Sequence, residues 1–310
     1  MTPPNSSDRG QQAAGLAYTL GAFLIWALGP LFWKAVQHVD ALQLLAHRVV
    51  WAVPMLAAVI AWQKRWDSLG HVLRKGRIFG PLVGTTALIA GNWYLYIWAV
   101  NSGHVLEASL GYFINPLISV VFGLVFLGER LSRWQTVAVG LAAAAVLFLT
   151  VQLGEMPWIS LGLAFSFGLY ALLRKQIPAS PEEGMFIEIC LMTPFLGGWL
   201  IYKEVAGGGG SFGHADTWTH VFLIAAGAMT AVPLILFHHG AKRLPLSTVG
   251  LLQYSAPTGQ FLLAVFAFKE PFTWSHGVAF AMIWAALAIF TVDLRRRWNE
   301  DKSRRQAEKG

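Results

Sequence analysis

Residues 105–126 read VLEASLGYFINPLISVVFGLVF. The run carries one charged side chain, Glu107, and one proline, Pro116. A helix needs about 20 mostly apolar residues to cross the hydrocarbon of a bilayer, and this run meets that length. Working outward, stretches of the same character recur at 15–33, 41–61, 78–99, 134–151, 157–173, 185–202, 218–238, 246–268 and 273–293. Together they predict an all-α membrane protein of ten transmembrane helices. The chain has 310 residues, of which only 13% are charged, against roughly 25% in a soluble domain. Its charges cluster between the apolar runs, which makes lipid the solvent for most of the surface.

The positive-inside rule orients the bundle. With the N-terminus cytoplasmic, 19 of the 23 Lys and Arg residues fall on the cytoplasmic side and three (Lys34, Lys203, Lys269) on the other. Arg48 lies within a span. A missed helix would swap every later loop and erase this bias, so both termini are expected in the cytoplasm. The net charge of +7 therefore belongs to helix-flanking loops, and no nucleic-acid partner is expected. Residues 1–14 and the end of a basic cytoplasmic tail, 294–310, are expected to be disordered. No cleavable signal peptide is read in the polar N-terminal stretch. The longest connections are 62–77, rich in Lys and Arg, and 203–217, whose Gly207 to Gly210 read as a flexible loop. The single cysteine, Cys190, excludes an internal disulfide and reads as a small buried hydrophobe.

The chain repeats itself at a shift of 141 residues. Gly21 falls on Gly162, Lys34 on Lys175, Pro116 on Pro257 and Glu129 on Glu270. The spans repeat at the same period, so 15–151 and 157–293 form two five-helix units. Five is odd, so the second unit enters the membrane from the opposite side. Inverted repeats with a midplane site between them are the pattern of secondary transporters.

Charged groups at membrane depth are costly unless paired or hydrated. His47, Arg48, Asn92, Trp93 and Glu107 share one depth near the outer side, and Arg48 is expected to pair with Glu107. Such a pair reads as an outer gate or recognition site, or equally as a structural ion pair. Glu188 is the repeat mate of His47, one turn from the inner side. It reads as a second gate or as a symmetric packing motif. Glu107, Gly111 and Asn115 fall on one face of the fourth helix. Pro116 and Pro257 each free a backbone carbonyl, and two broken helices at matching places point to a site walled by Tyr112, Asn115, Gln253 and Tyr254. Packing bends alone are the bland alternative. Trp26, Trp33, Trp62, Trp66, Trp134, Trp158, Trp218 and Trp274 read mainly as interfacial belt residues; Trp93 and Trp98 lie deeper. Gly80 and Gly84 hint at close helix contact. No phosphate loop, H-E-x-x-H or G-x-S-x-G occurs, and nothing calls for a cofactor or metal. Non-transporting scaffold, sensor partner and membrane-embedded enzyme are the competing readings.

Several stretches carry a family likeness: HRVVW (47–51), GNWYLYIWAVN (91–101), LEASLGYFINPL (106–117), FLGERLS (126–132), GLAFSFGLY (162–170), TAVPLILF (230–237) and LSTVGLLQYSAPT (246–258). They resemble the RarD proteins, a branch of the EamA group in the drug/metabolite transporter superfamily, over about residues 14–293. The resemblance implies two EamA repeats in a bacterial inner membrane. It also implies a permease for small molecules, exporting metabolites or drugs such as chloramphenicol-like compounds. His47, Arg48, Asn92, Trp93, Glu107, Tyr112, Asn115, Glu188, Gln253 and Tyr254 match the family pattern, which supplies no role for each. Lys269 departs from it where the first-half mate is Gly128. Expected partners are a small-molecule substrate and the lipid bilayer; proton or ion coupling, direction and homo-oligomerisation are left open.

Overall fold

The computed structural model describes residues 6–102, 104–154, 156–205, 216–269 and 274–307. The glycine-rich loop at Gly207 to Gly210, and Glu270, lie outside them. Among the described residues the regular structure is entirely helical: α1 Ser6–Ala35, α2 Ala41–Trp62, α3 Trp66–Arg74, α4 Gly76–Asn101, α5 Val105–Phe126, α6 Arg133–Leu153, α7 Trp158–Gln176, α8 Pro181–Val205, α9 Thr217–Arg243, α10 Leu246–Gln253, α11 Ser255–Leu262 followed by a π-turn at Leu263–Ala267, and α12 Trp274–Ala307.

Seven of these helices are long and apolar enough to cross a membrane: Gly10–Ala35, Ala41–Trp62, Glu107–Phe126, Arg133–Gln152, Pro181–Val205, Thr217–Arg243 and Gly277–Arg297. The remaining expected spans, at 78–99, 157–173 and 246–268, are helical but fall short of the same measure. Polar residues lower the first two, and the third is divided into two eight-residue helices. In α4, Asn92 donates to α7 and Thr85 to α8. The stretch 246–268 is broken between α10 and α11 at Tyr254, ahead of Pro257, which has no N–H to continue the ladder. Pro116, its mate, sits inside a continuous α5. So one of the two expected breaks forms and the other does not.

Helical structure extends into both terminal segments. Helix α1 starts at Ser6, and its early turns dock on the end of α9, where Arg243 donates to Gln11. Helix α12 runs on to Ala307 through Arg, Lys, Glu and Gln, all good helix formers, with an Asp293–Arg297 ion pair. The basic 62–77 connection contains α3, which buries Leu69 and Val72 against Ile60, Leu82 and Ile187. Nine residues cannot span a bilayer, but the apolar positions three apart mark an amphipathic turn. A side chain at Gly80 or Gly84 would meet open space, so that pair makes no close helix contact.

The turns follow from local chemistry. Asp40 caps α2, a Ser132–Gln135 capping box starts α6, and Gly154 in a left-handed conformation ends it. Gly128 and Lys269 both adopt positive φ, +63° and +58°. The lysine thus keeps the glycine's turn at a steric cost. Glu129 accepts from the backbone N–H of Leu246 (2.6 Å) and of Ser247 (2.9 Å), which places a carboxylate on the N-terminus of α10. Lys175 donates to the carbonyls of Ala241 and Leu244 at the end of α9.

The principal helix contacts join the first part of the chain to the second. Helix α5 packs on α7 and α10, α1 on α9 and α11, α2 on α8 and α9, α4 on α7 and α8, and α6 on α12. Glycines permit the closest approaches: Gly227 of α9 lies against the Trp51–Ala52 backbone of α2. The largest buried cluster gathers Phe23, Phe122, Phe237, Tyr254, Ile283 and Phe290. Leu24, Val125, Leu147, Phe195 and Val292 stay exposed on the outside, as a lipid-facing surface requires.

Candidate functional site

A cavity of about 430 Å³ lies inside the bundle, walled by α1, α2, α4, α5, α7, α9, α10 and α11. It runs from mid-helix residues, Asn115 and Gln253, toward the end where α1 finishes and α2 begins, at Trp33, Ala41 and Leu44. Six predicted site residues line it: Arg48, Asn92, Trp93, Tyr112, Asn115 and Gln253. The other four do not.

Arg48 is the one charged side chain among the described lining residues. Its Nε donates to Thr230 Oγ1 at 2.8 Å. Its guanidinium carbon lies 4.9 Å from the Trp33 ring and 5.4 Å from the Trp93 ring, close enough for cation–π attraction. Asn92 Nδ2 donates to Leu163 O (2.9 Å) and Ser166 Oγ (2.8 Å), tying α4 to α7. Tyr112 meets Tyr96 edge to face, with ring centroids 5.9 Å apart. Gln260 donates to Trp26 O at 3.0 Å and joins α11 to α1.

Asn115 and Gln253 are more than nine-tenths buried. Asn115 Oδ1 and Gln253 Oε1 have no hydrogen-bond partner among the described residues. Buried polar atoms are nearly always satisfied, so these two acceptors stand out on the cavity wall.

The expected Arg48–Glu107 ion pair does not form. Arg48 faces the cavity and turns to Thr230, whereas Glu107 is buried one residue before the lining Ala108, and its backbone carbonyl accepts from Ser160 Oγ. Equal depth placed the two together; rotation about the helix axes separates them. His47 is buried off the cavity, with Glu204 and His220 as titratable neighbours. Tyr254 is also off the cavity: its hydroxyl donates to Phe113 O at 3.0 Å, linking the α10–α11 break to α5.

Glu188 belongs to a separate buried network toward the other end of the bundle. It lies 3.3 Å from Arg174, both side chains fully buried. Thr85 donates to its Oε1 (2.6 Å) and Tyr170 to its Oε2 (3.0 Å), and the Tyr170 hydroxyl lies 2.8 Å from His238 Nε2. Gly184 leaves room for the guanidinium. Nearer that end, Glu182 meets His239 at 2.8 Å and Glu183 meets Arg65 at 3.7 Å. His238 and His239 thus point to different partners.

Sequence reading missed Trp26 and Trp33, which line the cavity. It also missed Tyr96, Thr230 and Gln260. A tryptophan near a helix end fits a belt and a pore mouth equally well. Arg174 was counted as a loop cation, yet it is 1% exposed.

A helical bundle with a lipid-compatible exterior and an internal cavity of mixed aromatic and polar lining has the form of a polytopic membrane protein that handles a small molecule. The sequence profile of the EamA-like transporter family matches residues 13–151 and again 156–292. An uncharacterized transporter of Bacillus subtilis, YojE, is 44% identical over 282 residues, covering 89% of this chain and 93% of that protein. Protein RarD of Escherichia coli is 42% identical over 286 residues, covering 92% and 96%. A solved crystal structure shares the fold at a TM-score of 0.68 and 19% identity, covering 93% of this chain and 98% of that one. The chain belongs to the EamA-like transporter family, in its RarD branch. It is a multi-pass transporter of the bacterial inner membrane, and its partners are a small-molecule substrate and the surrounding lipid.

Proposed function

We propose that the chain is a secondary permease that exports small metabolites or drugs, chloramphenicol-like compounds among them, by alternating access. On this reading it has ten transmembrane helices in two inverted repeats, with both termini in the cytoplasm. The spans are α1, α2, α4, α5, α6, α7, α8, α9, the broken α10–α11 and α12. Three observations support the repeat. The chain matches itself at 141 residues, and the family profile matches twice in succession. Exchanging the two halves also carries the helix contacts onto one another: α1 with α9 onto α7 with α4, and α2 with α9 onto α8 with α4.

With that orientation the cavity belongs to the outer half. The Arg174–Glu188–Tyr170–His238 network then closes the inner half, so the conformation is outward-facing. Transport requires the inner network to part and the outer walls to close. Glu188, deep and linked through Tyr170 to His238, is the proposed route for proton coupling. No enzyme is proposed, because the described lining residues pair no nucleophile with a base.

The orphaned oxygens of Asn115 and Gln253 carry the proposal. The test is metabolite profiling of cells with and without the protein, followed by vesicle flux of the leading compound. Export of one compound class, rising with an imposed pH gradient, is the expected result. No difference in profile and no flux would refute it.

A further inference from the structure

We infer that the cavity takes a small aromatic monoanion, held by its carboxylate at Arg48 and by a hydrogen-bond donor at Asn115 and Gln253. The inference rests on the permease reading and names the class of its cargo.

Arg48 brings a positive charge into a cavity where none of the described lining residues is acidic. Glu107 does not pair with it. Thr230 engages only Nε, and the two Nη groups make no hydrogen bond among the described residues. That leaves the outer fork of the guanidinium, whose geometry matches a carboxylate with two parallel hydrogen bonds. An uncompensated cation at membrane depth is costly, and an anionic ligand relieves that cost where a neutral one does not. A cationic ligand adds to it, and the cavity offers no carboxylate to an ammonium group. Zwitterions are therefore disfavoured as well.

The rest of the wall describes the body of the ligand. Trp33 and Trp93 flank the guanidinium, and Tyr96 and Tyr112 form an edge-to-face pair beside it. A flat ring buries its faces against such a wall. Deeper, Asn115 Oδ1 and Gln253 Oε1 wait for an N–H or O–H. A volume of about 430 Å³ is within the range of small-ligand sites.

The probe is 4-hydroxyphenylacetate, compared with its neutral amide, with tyramine as the cationic counterpart, with phenylacetate lacking the donor, and with chloride. Binding to the full-length protein in nanodiscs is read by tryptophan fluorescence, and exchange is read in vesicles. The acid should bind at least about tenfold tighter than the amide or tyramine. Arg48→Gln should erase that preference, while Arg48→Lys keeps it at weaker affinity. Asn115→Leu with Gln253→Leu should remove the advantage of the hydroxy acid over phenylacetate. Equal binding of acid and amide, or unchanged acid binding in Arg48→Gln, would overturn the inference. So would competition and flux by chloride with no aromatic acid bound. Vesicles that carry neutral chloramphenicol but none of the acids sink the anion and leave the permease standing; vesicles that carry neither class sink both.

Discussion

Arg48 Nε donates to Thr230 Oγ1 at 2.8 Å, which ties α2 to α9 and aims the guanidinium into the cavity. Thr230 in turn donates to Ala226 O, so its lone pairs face the arginine. Because Arg48 does not pair with Glu107, the two should contribute independently. In a thermal-melt series, Arg48→Ala and Glu107→Ala should be additive within about 0.5 kcal/mol. A larger coupling would restore the ion pair that equal depth first indicated.

Arg174 and Glu188 behave differently, because both are fully buried and 3.3 Å apart. Removing one partner leaves a buried charge uncompensated, which costs about 3–5 kcal/mol. Arg174→Leu and Glu188→Leu should each lower the melting temperature sharply, and the double variant should recover most of the loss. If the losses simply add, the two charges are not each other's partner.

Tyr254 separates architecture from site. Its hydroxyl serves Phe113 O and does not reach the cavity. Tyr254→Phe should therefore cost about 1 kcal/mol of stability and leave vesicle flux unchanged. A large loss of flux at normal stability would move Tyr254 into the binding wall.

Lys269 stands at φ +58°, where its repeat mate is Gly128 at +63°. A non-glycine residue in that region is strained by about 1–2 kcal/mol. Lys269→Gly should raise the melting temperature, reduced somewhat by the added freedom of the unfolded chain. An unchanged or lower value would mean that the lysine side chain stabilises the turn.

The helices were legible because lipid imposes a length and polarity on each one. The depth of a residue along its helix was legible too. Arg48, Asn92, Trp93, Tyr112, Asn115 and Gln253 come from four helices and line one cavity. Rotation was not legible. A helix apolar on nearly every face gives little sign of which side meets protein, so the expected Arg48–Glu107 pair does not form and Tyr254, read as a wall of the site, lies off the cavity. Glu188 reads as a second gate or as a symmetric packing motif, and the groups of its network, Arg174, Tyr170 and His238, come from other helices at sequence distances that no spacing rule connects. The short α3 was hidden among the basic residues of its loop.

The central claim is that the cavity between the two halves is the path of a small molecule, and that Asn115 and Gln253 bind it. The most direct test compares wild type with Asn115→Leu/Gln253→Leu in reconstituted vesicles, reading flux and melting temperature together. Leucine removes two orphaned acceptors at similar volume, so the empty protein should melt at the same temperature or higher, while flux falls by at least about tenfold. Wild-type flux in a double variant of wild-type stability would contradict the account.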